Sequence, residues 1–340
     1  MKITMDPTSP PILTTVVGSY PVPGWLRVSP TRSHLRDATL VVVRTQELAG
    51  IDVVADGELY RYDLNHPETN GMIDYFTGQM SGIDTQLSRA DELEFHSQSG
   101  MAYRSEPAGV VIGPLGPGTL NLPKASQPLL ELARHRTKFT LTSPYMLSKV
   151  LLDRHYGDRQ ALTLAIAALL AEQAAGLETG VVQVDEANLT GHPEDGAWVA
   201  EAINLVLDAV RGIPAVHLCF GNYGGQTIQR GHYDQLLRFM NLLHADHVVL
   251  EMARRDPVEL EYLRDLETKI GLGLGVIDIK DNQVETPEQV AGRIEQAAQV
   301  LGADRIRYVH PDCGFWMLPR SVADAKMRTL VKGRDLFLGR

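Results

Sequence analysis

Eight short runs rich in Val, Ile and Leu recur along the chain with longer stretches of helical period between them, and this alternation restricts the fold more than any other feature. The runs are ILTTVVGSY (12–20), GIDVVADGE (50–58), KFTLTSP (138–144), VVQVDEANL (181–189), AVHLCFGN (215–222), HVVLEMA (247–253), LGLGVIDIK (272–280) and IRYVHPDCG (306–314). Most are continuously apolar, as strands buried on both faces are. Residues 158–179 and 286–302 between them read as helices. Asp158 is placed to cap the first; Thr286, Pro287 and Gly302 stand at the cap, first position and end of the second. A closing stretch, 318–337, reads as an amphipathic helix with Leu330 and Val331 inward.

Eight strand-helix units predict an α/β fold, a (β/α)8 TIM barrel, as a single catalytic domain over 1–340. A doubly wound open sheet is the competitor, but no Gly-rich phosphate loop follows the first strand. Residues 59–136 are too long for a simple connection and read as an excursion after the second strand. Within it, 108–118 reads as a hairpin arm and 61–76 as a loop folding toward the barrel mouth. Barrel active sites lie at the C-terminal ends of the strands. Gly18-Ser19, Asp56-Gly57-Glu58, Asp185-Glu186, His217, Cys219, Glu251, Asp278, Lys280 and Cys313 all stand at or just beyond such ends.

The net charge of −10 argues against a nucleic-acid partner, since no basic face is in sight. No apolar run approaches the roughly 20 residues that span a bilayer, so no membrane role is expected. With two cysteines in 340 residues a disulfide scaffold is excluded, and a reduced, cytoplasmic setting is expected. The opening residues read as a short polar arm without a signal-peptide pattern.

His217 and Cys219 lie one residue apart and therefore on the same face of one strand. With Glu251 from the next strand and Cys313 from the last, they make the imidazole, thiolate and carboxylate set that zinc accepts. On spacing alone two readings stand: a metal site, or a packed strand with incidental thiols. Two thiolates and a carboxylate would leave such a centre negative, poor for polarising a carbonyl but suited to keeping a bound thiol deprotonated and nucleophilic.

TTVVGSYP, DGELYR, VVQVDEANL, HLCFGN, HVVLEMA and HPDCGF, in that order and nearly from end to end, resemble the motifs of the cobalamin-independent methionine synthase family, in its C-terminal catalytic barrel. The resemblance implies zinc held by His217, Cys219, Glu251 and Cys313. It also implies homocysteine, a small-molecule thiol, held by Gly18, Ser19, Glu58 and Asp185. Those acids suit an ammonium, and the Gly-Ser segment suits a carboxylate; as isolated residues, Glu58 and Asp185 read equally as turn or cap groups.

Two departures from the family pattern stand out. Where the family carries a histidine in D-x-H-S, this chain has IDIKD, keeping Asp278 and placing Lys280 at the histidine. Asp278, Lys280 and His310 are then the candidates for proton handling. His310 replaces an asparagine of the NPDCG close, and a packed core imidazole is the competing reading. Second, the 340 residues are expected to leave no room for the family's N-terminal barrel, which helps bind polyglutamylated methyltetrahydrofolate. A different or simpler methyl donor is expected, such as a methylated corrinoid protein, with the loop 59–76 as a donor-binding segment or a lid. The rival readings are an alkyltransferase of the epoxide:coenzyme M type, a noncatalytic zinc- or corrinoid-binding barrel and, with no use for the two cysteines, a decarboxylase of the uroporphyrinogen type.

Overall fold

The computed structural model describes residues 12–63, 71–97, 104, 106–221 and 231–340. The N-terminal arm, the central part (64–70) of the loop over 61–76 and Asn222 lie outside the described residues.

The eight apolar runs form eight parallel strands: Leu13–Thr14, Val53–Val54, Arg136–Thr142, Val181–Glu186, Ile213–Leu218, His247–Leu250, Gly271–Ile277 and Ile306–Pro311. Each pairs with its sequence neighbour, and the first also pairs with the eighth. Parallel bridges from Thr15 to Val53 and from Ser19 to Gly57 join the first strand to the second, bringing the sheet round into a (β/α)8 barrel. The first two strands are short, and within a few residues of their ends come the Gly-Ser and Asp-Gly-Glu segments at the mouth.

Helices ring this barrel where local signals start them. Asp158 caps Arg159–Ala175 by accepting the Ala161 N–H at 2.8 Å. Thr286 and Gln289 form a reciprocal capping box ahead of Pro287–Leu301. The closing helix, Arg320–Phe337, turns Ala323, Met327, Leu330 and Val331 inward. Each fully buried Leu or Ile on these faces contributes roughly 1.5–3 kcal/mol relative to exposure.

Between the second and third strands the chain builds more than a loop. Ser81–Asp84 pairs antiparallel with Val110–Gly116, which pairs in turn with Leu152–Asp153 from beyond the third strand. Leu122–Leu132 then packs beside the helix Arg32–Ala49 in the outer ring. Among the described residues no helix is long and apolar enough to cross a membrane.

Inside the barrel, Val17, Val53, Val181, Ala215, Val249 and Tyr308 form an apolar plug. Polar side chains project inward above it.

Candidate metal centre

Strand alternation sets the geometry. Ala215 points into the plug, so His217 two residues on points inward above it, while Val216 and Leu218 face the helices. His217 Nδ1 lies 3.0 Å from the Val249 carbonyl, which makes it the protonated nitrogen. Its Nε2 is buried and has no hydrogen-bond partner. That orphaned lone pair is aimed at the sulfurs: the ligand atoms of His217, Cys219 and Cys313 all lie within 4.8 Å of one another.

The two sulfurs are electrostatically unequal. Cys313 is held well below the usual thiol range, first by its bond with Cys219 and then by His217, with burial opposing. Cys219 is pushed up by the same bond, by burial and by the charges of Cys313 and Glu251. Burial opposes an imidazolium at His217, but Cys313 and Asp185 outweigh it and raise its pKa. An imidazole nitrogen without a hydrogen-bond partner, facing two cysteine sulfurs, is a donor set that fits a divalent ion such as zinc.

Glu251, expected as a fourth ligand, stands one residue past Leu250, which pairs with Leu218. This sets it beside Cys219, yet its carboxylate is not part of the three-residue group. Its Oε1 instead accepts from Lys280 Nζ at 2.6 Å, and its Oε2 from the Phe220 N–H at 3.4 Å.

The expected thiol-binding residues gather on the neighbouring wall. Asp185 is the lateral partner of His217 in the sheet. Burial, together with repulsion from Glu58, pushes its carboxyl up to about 7, despite the charge of His217 and the bond from Gln183. Glu58 sits at φ 59°, a left-handed conformation that non-glycine residues rarely hold. Thr140 Oγ1 donates to its Oε1 at 2.6 Å, and the Arg61 guanidinium lies 3.6 Å from Oε2. A side chain at Gly18 would put its Cβ 2.2 Å from Glu58 Oε1, and one at Gly314 would put it 2.0 Å from Ser19 Oγ. Both glycines therefore let carboxylate and hydroxyl approach the backbone at the mouth.

The proton-handling candidates are placed differently. Asp278 Oδ1 accepts its own turn's Lys280 N–H at 2.8 Å, and Arg254 lies 3.6 Å from Oδ2. Lys280 is paired with Glu251. His310 is buried and held to about 3 by desolvation, so it is neutral; Nδ1 lies 2.7 Å from the Pro311 carbonyl and Nε2 has no hydrogen-bond partner.

Two interior residues escaped the reading of the sequence. Lys138 Nζ donates to Gln183 Oε1 at 2.8 Å, and Gln183 Nε2 donates to Asp185 Oδ1 at 2.6 Å, so a buried lysine braces the Asp185 carboxyl through an amide. Burial lowers Lys138 to about 7, against the attraction of Asp185 and Glu58. The signal was present: both stand at inward positions of apolar strands, where a polar side chain needs a partner.

Similarity to known proteins identifies the family and the fold. A family model described as the cobalamin-independent synthase catalytic domain matches residues 12–334. The methionine synthase of Thermococcus kodakarensis is 29% identical, the match covering 96% of this chain and 94% of that protein. That of Sulfurisphaera tokodaii is 28% identical, covering 96% and 93%. Among solved structures, a B12-independent methionine synthase from Shewanella sp. W3-18-1 in complex with selenomethionine superposes with a TM-score of 0.80 at 23% identity, covering 96% of this chain and 98% of that one. At that identity the likeness speaks for the fold.

Proposed function

Since the chain belongs to the cobalamin-independent synthase catalytic-domain family, we propose that it is a zinc-dependent methyltransferase that converts homocysteine to methionine. The observation that carries the reading is the convergence of His217, Cys219 and Cys313 beside the buried Asp185. Bound there, zinc would supply the Lewis acidity that keeps a substrate thiol deprotonated and nucleophilic near neutral pH.

The chain's own residues do the rest. His217, Cys219 and Cys313 would hold the ion, with the carboxylate of Glu251 as the fourth ligand. Asp185 and Glu58 receive the ammonium of the amino-acid thiol; Ser19 and the backbone at Gly18 receive its carboxylate. Lys138, acting through Gln183, fixes the orientation of the Asp185 carboxylate. Thr140 and Arg61 fix that of Glu58. With the thiol anchored at both ends, its sulfur is presented to the methyl carbon in one orientation, which lowers the entropic part of the barrier. The methyl donor is proposed to be other than, or simpler than, polyglutamylated methyltetrahydrofolate, such as a methylated corrinoid protein.

Zinc analysis and calorimetry, titrating homocysteine and then coenzyme M with and without a chelator, test the proposal. Zinc-dependent binding of homocysteine with proton release is expected, followed by methionine formation from a methylcorrinoid. Preference for coenzyme M would move the assignment to thiol alkylation, and binding of neither thiol by the zinc-loaded protein would overturn it.

A further inference from the structure

Building on the amino-acid subsite proposed above, we infer that Gln183 is a positioning residue that ties the two ends of that subsite together. Its single amide sets the spacing at which an ammonium and a carboxylate on one carbon are received, and so selects an α-amino-acid thiol over thiols that carry one of these groups or neither.

Gln183 is sealed inside the barrel, and every polar atom of its amide is bonded. Nε2 donates to Asp185 Oδ1 at 2.6 Å and to the Val17 carbonyl at 3.1 Å, while Oε1 accepts from Lys138 Nζ at 2.8 Å. Val17 immediately precedes Gly18 and Ser19. One nitrogen therefore touches both the acid proposed for the ammonium and the backbone that leads into the segment proposed for the carboxylate. The strands that carry Gln183 and Val17 are not neighbours in the sheet, so the amide bridges the barrel interior.

The partners also fix which way the amide faces. A backbone carbonyl can only accept, so the nitrogen must lie toward Val17; its two N–H groups are then both used, and the oxygen is left to face Lys138. Turning the amide over would set oxygen against oxygen at Val17. Glu58 needs no such tie. Ser19 bridges Gly57 in the sheet, and the Tyr20 N–H donates to the Gly57 carbonyl at 3.0 Å, so this acid is joined to the Gly-Ser segment through backbone. Asp185 is joined to it through a side chain, and the length of that side chain sets the separation. A buried polar network with its bonds satisfied is rigid. Both ends of the ligand then meet groups already in place, and less ordering is needed on binding.

Calorimetry on the zinc-loaded full chain tests this with four thiols of matched length: homocysteine, the aminopropanethiol that lacks its carboxylate, the mercaptobutyrate that lacks its amine, and propanethiol, which lacks both. Gln183→Met keeps the reach of the side chain and removes its hydrogen bonds. It should weaken the aminopropanethiol and the mercaptobutyrate each by about 3- to 10-fold and homocysteine by about 10- to 100-fold, with propanethiol and zinc affinity held within about twofold. Should that variant fail to fold, Lys138→Met decides: it keeps the amide, removes what holds it from behind, and should weaken the same two arms by about threefold each. Loss confined to the ammonium-bearing thiols would make Gln183 a support for Asp185 alone; it would overturn the inference and leave the proposed function standing. Unchanged affinities, or an equal loss for all four thiols, would overturn it as well. A wild-type protein that binds homocysteine no more tightly than propanethiol would overturn the amino-acid subsite itself, and with it the proposed function.

Discussion

The two ends of the barrel treat polar groups in opposite ways. At the N-terminal end, Asp52 accepts from Arg334 Nη1 at 2.7 Å and from the backbone and hydroxyl of Thr14 at 2.7 and 2.8 Å. His247 is bonded to Asp246 at 3.0 Å and stacks on Tyr308 with centroids 4.3 Å apart, while Arg307 clasps Asp246. At the mouth, Asp56 Oδ2, Arg61 Nη1, His217 Nε2, His310 Nε2 and Asp312 Oδ2 are all buried and lack a hydrogen-bond partner. Only Arg305 Nε does so at the other end among the described residues. The carboxyls follow suit. Burial works against ionisation at Asp52, but Thr14 and Arg334 bring it below its usual range. Burial pushes Asp56 to about 6 and Asp185 to about 7. Burial and the charge of Glu251 take Asp312 to about 8. Groups that close on one another stabilise a fold, whereas groups left short of partners wait for a ligand.

That contrast breaks most severely at the sulfurs. Cys219→Ser or Cys313→Ser should abolish stoichiometric zinc and lower methyl transfer by more than about 100-fold, read by metal analysis and turnover on the same samples. Full activity in a zinc-free variant would show that the orphaned His217 nitrogen is not waiting for a metal.

Asp185→Asn should keep zinc and weaken homocysteine binding by roughly 10- to 100-fold, the worth of one charge-assisted hydrogen bond, measured by calorimetry. Unchanged affinity would move ammonium recognition to Glu58 alone.

The pH dependence sharpens the comparison further. Because Asp185 must be ionised to receive an ammonium, homocysteine affinity in the wild type should fall as pH drops through about 7. The linked stability has the opposite sense. The native Asp185 holds its proton longer than the unfolded one, so its contribution is lost as pH rises from about 4 to about 7. In metal-free protein, Asp185→Asn should therefore gain stability relative to wild type across that window, followed by thermal melts. Asp52, with its lowered pKa, behaves in reverse: it stabilises the fold above about 4 and ceases to as pH falls through its native value.

At the other end the effects should be smaller and confined to stability. Arg334→Met removes a buried guanidinium from Asp52 and the Ile12 carbonyl and should cost about 3 kcal/mol by denaturant titration. Arg307→Met removes a partly exposed partner of Asp246 and should cost less than about 1 kcal/mol. Neither should alter zinc or thiol affinity. A change in either would mean that the two ends are coupled through the barrel wall.

Much of this was legible from the residues. The alternation of runs placed all eight strands, because buried parallel strands need unbroken apolar stretches. Asp158 and Thr286 marked their helix starts, because their side chains satisfy backbone donors that any helix leaves open. His217 and Cys219 could be put on one face from the period of two. The excursion was visible by its length, but its pairing with Leu152–Asp153, beyond the third strand, was not, since local pattern does not say which distant edge a strand will join.

The sequence by itself determined the barrel and put His217 and Cys219 on one face of a strand, because both follow from periodicities and spacings within single segments. Tertiary structure alone decided which inward side chains meet: Glu251 with Lys280, Lys138 with Gln183, and His217 with Cys313 across the mouth. These partners come from strands and turns far apart in the chain, and a charge sealed from water takes its meaning from the one neighbour that neutralises it.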